Sequence, residues 1–199
     1  MISKIQSSLK AISYLAVLAL IAMIISCSQE TTMDGTENLE AHTVKSSKAA
    51  KATRAIRGKI NNDSDPSIDP VVCIGSTPEL PIALNTNFIY GNMTHLGKIQ
   101  PGSFGRPIEC EGVLAEGKII SVYEVNYIGA HGDEIRTRES TTIIFNPEDP
   151  TFNTGTFEGT IEIIGGSGRF EGAKGTMVFK DASFVGSKST WEVVGEITY

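Results

Sequence analysis

The sequence predicts an all-β fold, and two patterns carry that prediction. Runs rich in β-branched and aromatic residues recur in the second half of the chain, at residues 122–128, 141–145, 160–164, 176–179 and 191–198. Gly, Asn or Pro separates these runs at short intervals, which is typical of an antiparallel sandwich or barrel. Seventeen of the 20 glycines lie at or after Gly91. That concentration suits the tight hairpins and strand bends of a closed barrel.

Residues 1–27 match the pattern of a secretory signal. Two lysines precede an apolar run over residues 11–25, and the small residue Ser26 follows it. The run is shorter than the roughly 20 residues that a membrane-spanning helix needs. Cleavage after Ser26 leaves Cys27 as the first residue, an arrangement that resembles the lipobox of bacterial lipoproteins. A plain secretory signal, with Cys27 as an ordinary residue, is the alternative.

The lipobox resemblance implies where the protein resides. Cys27 would carry more than one acyl chain, which gives stable anchoring to a membrane. The residues that follow it, Ser28, Gln29 and Glu30, lack the aspartate that retains many such lipoproteins in the inner membrane. We therefore expect the outer membrane of the cell envelope, on its periplasmic or its surface face.

Three segments are predicted along the chain: a signal peptide at residues 1–26, a lipidated flexible tether at residues 27–54 and one β-barrel domain at residues 55–199. Polar and small residues dominate the tether, so it has little to bury in a core. The domain is long enough for one hydrophobic core. Within it, residues 61–81 are expected to be irregular, because four prolines gather there with Asp and Ser.

The charge balance argues against a nucleic-acid partner. The chain holds 17 basic and 23 acidic residues, and removal of residues 1–26 leaves 15 basic against 23 acidic, a formal charge of −8. Nucleic-acid binding depends on clustered Lys and Arg. The one basic cluster, at residues 45–57, adjoins the tether and is expected to be a solvated part of it.

Residues 165–175 form a glycine-rich segment that looks like a nucleotide-binding loop at first sight. A dinucleotide fingerprint needs a third glycine where Glu171 stands and a helix afterwards, whereas residues 176–179 are predicted as strand. The segment is therefore predicted to be a turn between two strands, with Phe170 turned inward as a plug and Arg169 paired nearby. Its structural residues are Gly165, Gly166, Gly168, Arg169, Phe170 and Gly172.

Three segments together resemble allene oxide cyclase-like barrel proteins. Residues 165–175 read Gly-Gly-Ser-Gly-Arg-Phe-Glu-Gly-Ala-Lys-Gly, which is similar to the signature of that group. Residues 91–98 contain a Thr-His-Leu-Gly sequence that forms a strand in the group, and residues 130–135 resemble its Ala-Asn-Gly-Asp segment, with His131 in place of Asn. The resemblance implies an eight-stranded antiparallel barrel of calycin-like shape, related to plant cyclases and dirigent proteins. The catalytic residues of the plant enzymes lie outside these motifs, so none is transferred here.

His95, His131 and Asp133 are the candidate ligand-site residues. Two imidazoles and a carboxylate suffice for zinc. No His-x-His or His-x-x-x-His spacing supports such a site, so ordinary turn and strand roles are favoured, and no metal or other cofactor is predicted. Within the same segment, Gly132 accepts a positive φ and the Asp133 side chain can bond the turn's own backbone, which predicts a hairpin.

Cys73 and Cys110 remain once Cys27 is lipidated. Two remaining cysteines often pair in an oxidising envelope. A disulfide between the proline-rich segment and a later strand is therefore predicted, with two buried free thiols as the alternative.

The sequence favours a non-enzymatic function. It contains no Gly-x-Ser-x-Gly elbow or other nucleophile constellation. We expect a lipid-anchored envelope protein that binds a small apolar ligand in its barrel or serves as an interaction module, because a barrel of about eight strands holds either packed side chains or one small ligand. The alternative is a cyclase- or isomerase-like enzyme that acts on a hydrophobic substrate. Inward-facing Glu, His or Asn side chains in an open barrel mouth would favour the enzyme.

Overall fold

The computed structural model describes residues 51–199, so the predicted signal peptide, Cys27 and nearly all of the predicted tether lie outside it. The described chain is all-β, as predicted. Its strands are β1 (Thr53–Ser64), β2 (Val71–Val72), β3 (Ala83–Leu84), β4 (Asn87–Met93), β5 (Gly97–Ile99), β6 (Phe104–Val113), β7 (Lys118–Ile128), β8 (Glu134–Phe145), β9 (Thr154–Ser167), β10 (Lys174–Val185) and β11 (Lys188–Thr198). Two short 3₁₀ turns occupy Leu114–Glu116 and Gly168–Phe170.

Eight strands close into a ring in the order β1-β11-β10-β9-β8-β7-β6-β4, and β4 returns to pair with β1. Each pairing is antiparallel, and β6 to β11 follow one another as successive hairpins. The predicted antiparallel barrel of eight strands is therefore confirmed. The short strand β5 is not one of these eight strands and pairs with residues 91–93 of β4. Strands β2 and β3 form a separate two-stranded sheet.

Strand β1 includes residues from two segments that the sequence predicts to be irregular. Thr53 and Arg54, placed in the predicted tether, pair with β11. Residues 61–64, expected to be irregular, pair with β4, and residues 61–63 also pair with β11 on the other side. Asn, Asp and Ser have low β propensity, but two flanking strands that supply backbone partners outweigh it here.

Large aliphatic and aromatic side chains fill one end of the barrel. Every second residue of a strand points inward, and this end contains the fully buried side chains of Ile56, Ile60, Tyr127, Ile135, Ile163, Phe170 and Ile197. Phe170 lies in the 3₁₀ turn between β9 and β10, and its ring centroid is 4.8 Å from that of Tyr199. Phe170 therefore plugs the barrel at this end.

The turn that carries Phe170 is held by Asp133. Gly168 adopts a φ of +59°, and a Cβ at this position would overlap the carboxylate of Asp133. Asp133 Oδ1 accepts a hydrogen bond from the backbone N–H of Arg169 at 3.2 Å, and Oδ2 lies 3.0 Å from the Arg169 guanidinium. The Asp133 side chain thus bonds the neighbouring turn and not the backbone of its own hairpin, which corrects the prediction from the sequence. Gly165 and Gly166 lie within β9, and the carbonyl of Gly172 accepts a hydrogen bond from Lys51.

Residues 94–96 form the turn between β4 and β5, where the family resemblance implied a strand. His95 adopts a left-handed φ of +68°, which a strand does not accommodate. Its imidazole Nε2 lies 2.9 Å from the carbonyl oxygen of Ala55. No helix within residues 51–199 has the length and apolar character to span a membrane.

Candidate functional site: a cavity at the open end of the barrel

The end of the barrel opposite Phe170 is hollow, and several inward-facing positions there carry small or polar side chains. Along β1 the inward positions change from Ile56 and Ile60 to Asn62 and Ser64, and along β11 they change from Ile197 to Ser189. These shorter side chains do not fill the interior of an eight-stranded ring. A cavity of about 350 Å³, open to solvent at this end, remains.

Aromatic rings form much of the cavity wall. Phe157 lies edge-to-face against Phe179 and Trp191, with ring centroids 5.4 Å and 5.6 Å away. Nearer the rim, Phe145 makes similar contacts with Phe152 and Phe184. Such edge-to-face packing fixes the rings relative to one another. This part of the cavity wall is therefore aromatic and apolar.

One side of the rim is a flap, which we define as residues 71–85. The flap contains β2 and β3, and its residues 80–85 line the cavity. A disulfide between Cys73 and Cys110 attaches it to β6, and the backbone N–H of Ile74 donates to the Cys110 carbonyl at 2.9 Å. Ile82 packs with both cysteines and with Ile119 of β7 in a small core of their own. The flap is thus fastened beside the cavity entrance by a covalent bond and by buried apolar contacts.

Glu139 is the inward-facing acidic residue of this cavity. It lies on β8, is 5% exposed and contributes to the cavity lining. Its Oε1 accepts hydrogen bonds from the Tyr127 hydroxyl at 2.8 Å and from the Thr137 hydroxyl at 2.9 Å. Both donors lie toward the filled end of the barrel. Its Oε2 makes no hydrogen bond within residues 51–199, so this oxygen is available to a molecule in the cavity.

Burial governs the ionisation of this group. Burial raises the pKa of Glu139 to about 7, while the hydrogen bonds from Tyr127 and Thr137 act in the opposite direction. Burial, followed by the negative charge of Glu139, also raises the pKa of Tyr123 and of Tyr127. Both phenols therefore remain neutral donors near neutral pH. Glu139 itself changes between its protonated and ionised forms near neutral pH.

Glu139 has no cationic partner in the described structure. None of the ion pairs within residues 51–199 includes it. The residues that line the cavity contain no Lys, Arg or His in this part of the chain, and their only acidic member is Glu139. The rim adds uncharged polar side chains, namely Asn62, Asn85, Asn87, Ser187 and Ser189. The cavity can thus offer one carboxylate, or one carboxylic acid, within an otherwise uncharged wall.

The predicted ligand-site residues lie elsewhere. His95 and Asp133 are at the plugged end, where Asp133 pairs with Arg169, and His131 is exposed in the turn between β7 and β8. None of the three lines the cavity. Within residues 51–199, no group of three or more His, Cys, Asp or Glu side chains is arranged to hold a metal ion.

Sequence reasoning missed Glu139 for an identifiable reason. The strand in this region was predicted to begin at residue 141, whereas β8 begins at Glu134. Because side chains alternate along a strand, extension back from Ile143 by steps of two places Thr141, Glu139 and Thr137 on the inner face. Polar residues on both faces of β8 obscured this pattern.

Comparisons with known proteins add no identity to this geometry. Searches against protein-family models, curated protein sequences and solved structures find no match for the chain.

Proposed function

We propose that this chain is a lipid-anchored envelope protein whose barrel binds a small, predominantly apolar molecule. The cavity carries the proposal. Its volume of about 350 Å³ lies within the usual size range of small-molecule sites, roughly 300–1,000 Å³. An apolar and aromatic wall with a few convergent polar groups is also typical of such sites.

A disulfide bond in the described part of the chain supports the envelope location. Cys73 and Cys110 are disulfide-bonded, and disulfides persist in oxidising compartments such as the bacterial periplasm or cell surface. The signal-like residues 1–26 and the lipobox-like Cys27 support the same location. The resemblance to allene oxide cyclase-like barrels supports a hydrophobic ligand, because it relates the chain to proteins that act on such molecules.

Trp191 supplies the test, because it is the only tryptophan of the chain and lines the cavity. Decan-1-ol, a neutral amphipathic probe, is titrated into the purified full chain while Trp191 emission is recorded. Detergent is omitted because its alkyl tails would compete for the cavity. We expect a saturable change in emission, since a bound alkyl chain replaces water beside the indole.

Two neighbouring variants make the test specific to the cavity. Thr141→Phe places a ring in the cavity, which Thr141 lines, and should weaken decan-1-ol binding at least tenfold. Thr142→Phe places the same ring on the opposite face of β8 and should bind as the unmodified protein does. Equal binding by both variants, or no saturable signal from the unmodified protein, would contradict the proposal.

A cyclase- or isomerase-like enzyme is the second candidate, and one observation favours it. Glu139 lies in an open cavity, is hydrogen-bonded to Tyr127 and has a pKa of about 7. A general acid or base works best with a pKa near the operating pH. To test this, the molecule released from envelope-purified protein is incubated with fresh protein and analysed by chromatography. Conversion by the unmodified protein but not by Glu139→Gln would establish the enzyme, and recovery of unchanged molecule would establish binding alone.

A further inference from the structure

We infer that the ligand is a small organic cation, with an ammonium head beside Glu139 and an apolar body among the aromatic rings. This inference rests on the proposed binding function and adds the charge class of the ligand.

Glu139 has no ionic partner among residues 51–199. Buried charges in proteins are normally paired or hydrogen-bonded. Glu139 Oε1 has two donors, whereas Oε2 has none within residues 51–199. No basic residue of that range lines the cavity. An ammonium group that binds beside Oε2 would supply both a hydrogen-bond donor and the missing positive charge.

Aromatic side chains line the same cavity as Glu139. Tyr123 is the direct cross-strand partner of Glu139 on β7, and directly opposite residues have Cβ atoms about 4.5–5.5 Å apart. Phe157, Phe179 and Trp191 also line the cavity. The negative faces of aromatic rings attract cations, and rings around a cation are a common means of binding ammonium groups. A carboxylate with aromatic neighbours is therefore suited to an organic cation.

The same features disfavour an anionic ligand. A carboxylate head beside Glu139 would place two acids together, and one of them would have to remain protonated. The rim offers amides and hydroxyls but no cation within the described chain, so it does not compensate an acidic head either. A neutral alcohol can hydrogen-bond to Glu139 but leaves its charge unmatched.

Three probes of equal chain length separate these cases: decylamine, decan-1-ol and decanoate. Each is titrated into the purified full chain without detergent at about pH 8, with Trp191 emission as the signal. Glu139 is mostly ionised at this pH, because burial raises its pKa only to about 7. The amine remains protonated, with a pKa near that of lysine, about 10.4. We expect decylamine to bind at least tenfold more tightly than decan-1-ol, and decanoate to bind most weakly.

Two variants assign the preference to Glu139. Glu139→Gln keeps the size of the side chain and a hydrogen-bond acceptor but removes the charge, so decylamine should lose its advantage while decan-1-ol affinity stays within about threefold. Glu158→Gln is the matched control, because Glu158 is exposed on β9 and does not line the cavity. It should retain the full preference for decylamine.

A pH series on the unmodified protein gives a readout that needs no variant. Tyr123 and Tyr127 are the titratable groups that face Glu139 in the described chain, and both remain neutral near pH 7. Decylamine affinity should rise several-fold from about pH 5.5 to 8.5 as Glu139 ionises, while decan-1-ol affinity stays constant. Decanoate affinity should fall over the same range.

The outcomes distinguish the two proposals. Decan-1-ol affinity equal to that of decylamine, or a decylamine preference that survives Glu139→Gln in a folded protein, would overturn the cation inference and leave the binding function standing. Absence of any saturable signal from the three probes would overturn the binding function itself.

Discussion

Glu139 dominates the chemistry at the scale of single residues, because residues 51–199 provide no cation beside this buried carboxyl group. Its two hydrogen-bond donors, Tyr127 and Thr137, come from the filled half of the barrel. Its other side meets the cavity. Glu139 therefore lies at the boundary between the packed core and the binding space, and its protonation state sets the polarity of that space.

The free energy of unfolding should depend on the protonation state of Glu139. Its folded-state pKa is about 7 against an ordinary value of 4.5, so between these pH values the folded protein binds more protons than the unfolded chain. The contribution of protonated Glu139 to the stability of the folded protein is fully present below about pH 4.5, and it is lost as the pH rises through 7. From about pH 5 to 8 this linkage lowers the free energy of unfolding by roughly 2 to 3 kcal/mol.

Urea unfolding of the unmodified protein and of Glu139→Gln at both pH values measures the effect. The variant should show a flatter pH profile and should be the more stable protein at pH 8. Asp149 does not interfere, because hydrogen bonds from Thr151 and Thr154 lower its pKa to about 2 and keep it ionised throughout. Parallel pH profiles for the two proteins would contradict the assignment of the shift to Glu139.

Residue patterns predicted the plugged end of the barrel better than the open end. Phe170 and Arg169 could be placed because a glycine-rich turn between two strands leaves one large apolar residue to bury. Glu139 could not be placed, because β8 is polar on both faces and only its true length shows which face turns inward. The cavity itself results from small side chains on different strands, and their juxtaposition depends on the register of the whole ring.

The flap is the main feature at the scale of elements, since it combines little regular structure with a defined position. Its strands β2 and β3 have only two residues each. The Cys73–Cys110 disulfide and the buried contacts of Ile82 hold it against β6 and β7. The flap is thus attached to the barrel by one covalent bond and by buried apolar contacts.

Removal of the disulfide should destabilise the domain. The bond closes a loop of 37 residues, for which the chain-entropy estimate is about 4 kcal/mol. The double variant Cys73→Ser/Cys110→Ser should unfold at correspondingly lower urea, and a reductant should lower the unmodified protein to the same midpoint. The reductant should have no effect on the double variant. An unchanged midpoint in reduced, unmodified protein would contradict the stabilising role of the bond.

At the scale of the whole molecule, the recurring β-branched runs and the glycines predicted an antiparallel sandwich or barrel, whereas the number of eight strands was implied by the resemblance to allene oxide cyclase-like barrels. The first strand was the exception. Residues 61–64 contain Asn, Asp and Ser, and their strand conformation is imposed by β4 and β11 on either side. Long-range pairing of this kind has no local signature in the sequence.

The proposed lipid anchor also belongs to this scale. Cys27→Ala should abolish incorporation of labelled fatty acid and release the protein from the membrane fraction, because a single residue would carry the acyl chains. The Cys73→Ser/Cys110→Ser variant controls for loss of other cysteines and should retain its label. Label retained by Cys27→Ala would rule out Cys27 as the lipidation site.

The pairing of the two terminal strands has a practical consequence for orientation. Ala52 and Tyr199 exchange backbone hydrogen bonds beside the Phe170 plug, so β1 begins and β11 ends at the same pole of the barrel. A solid support, fluorescent protein or affinity tag joined after Tyr199 would therefore attach at the pole away from the cavity entrance. Ligand exchange could then be measured on immobilised protein without obstruction of the entrance by the attachment.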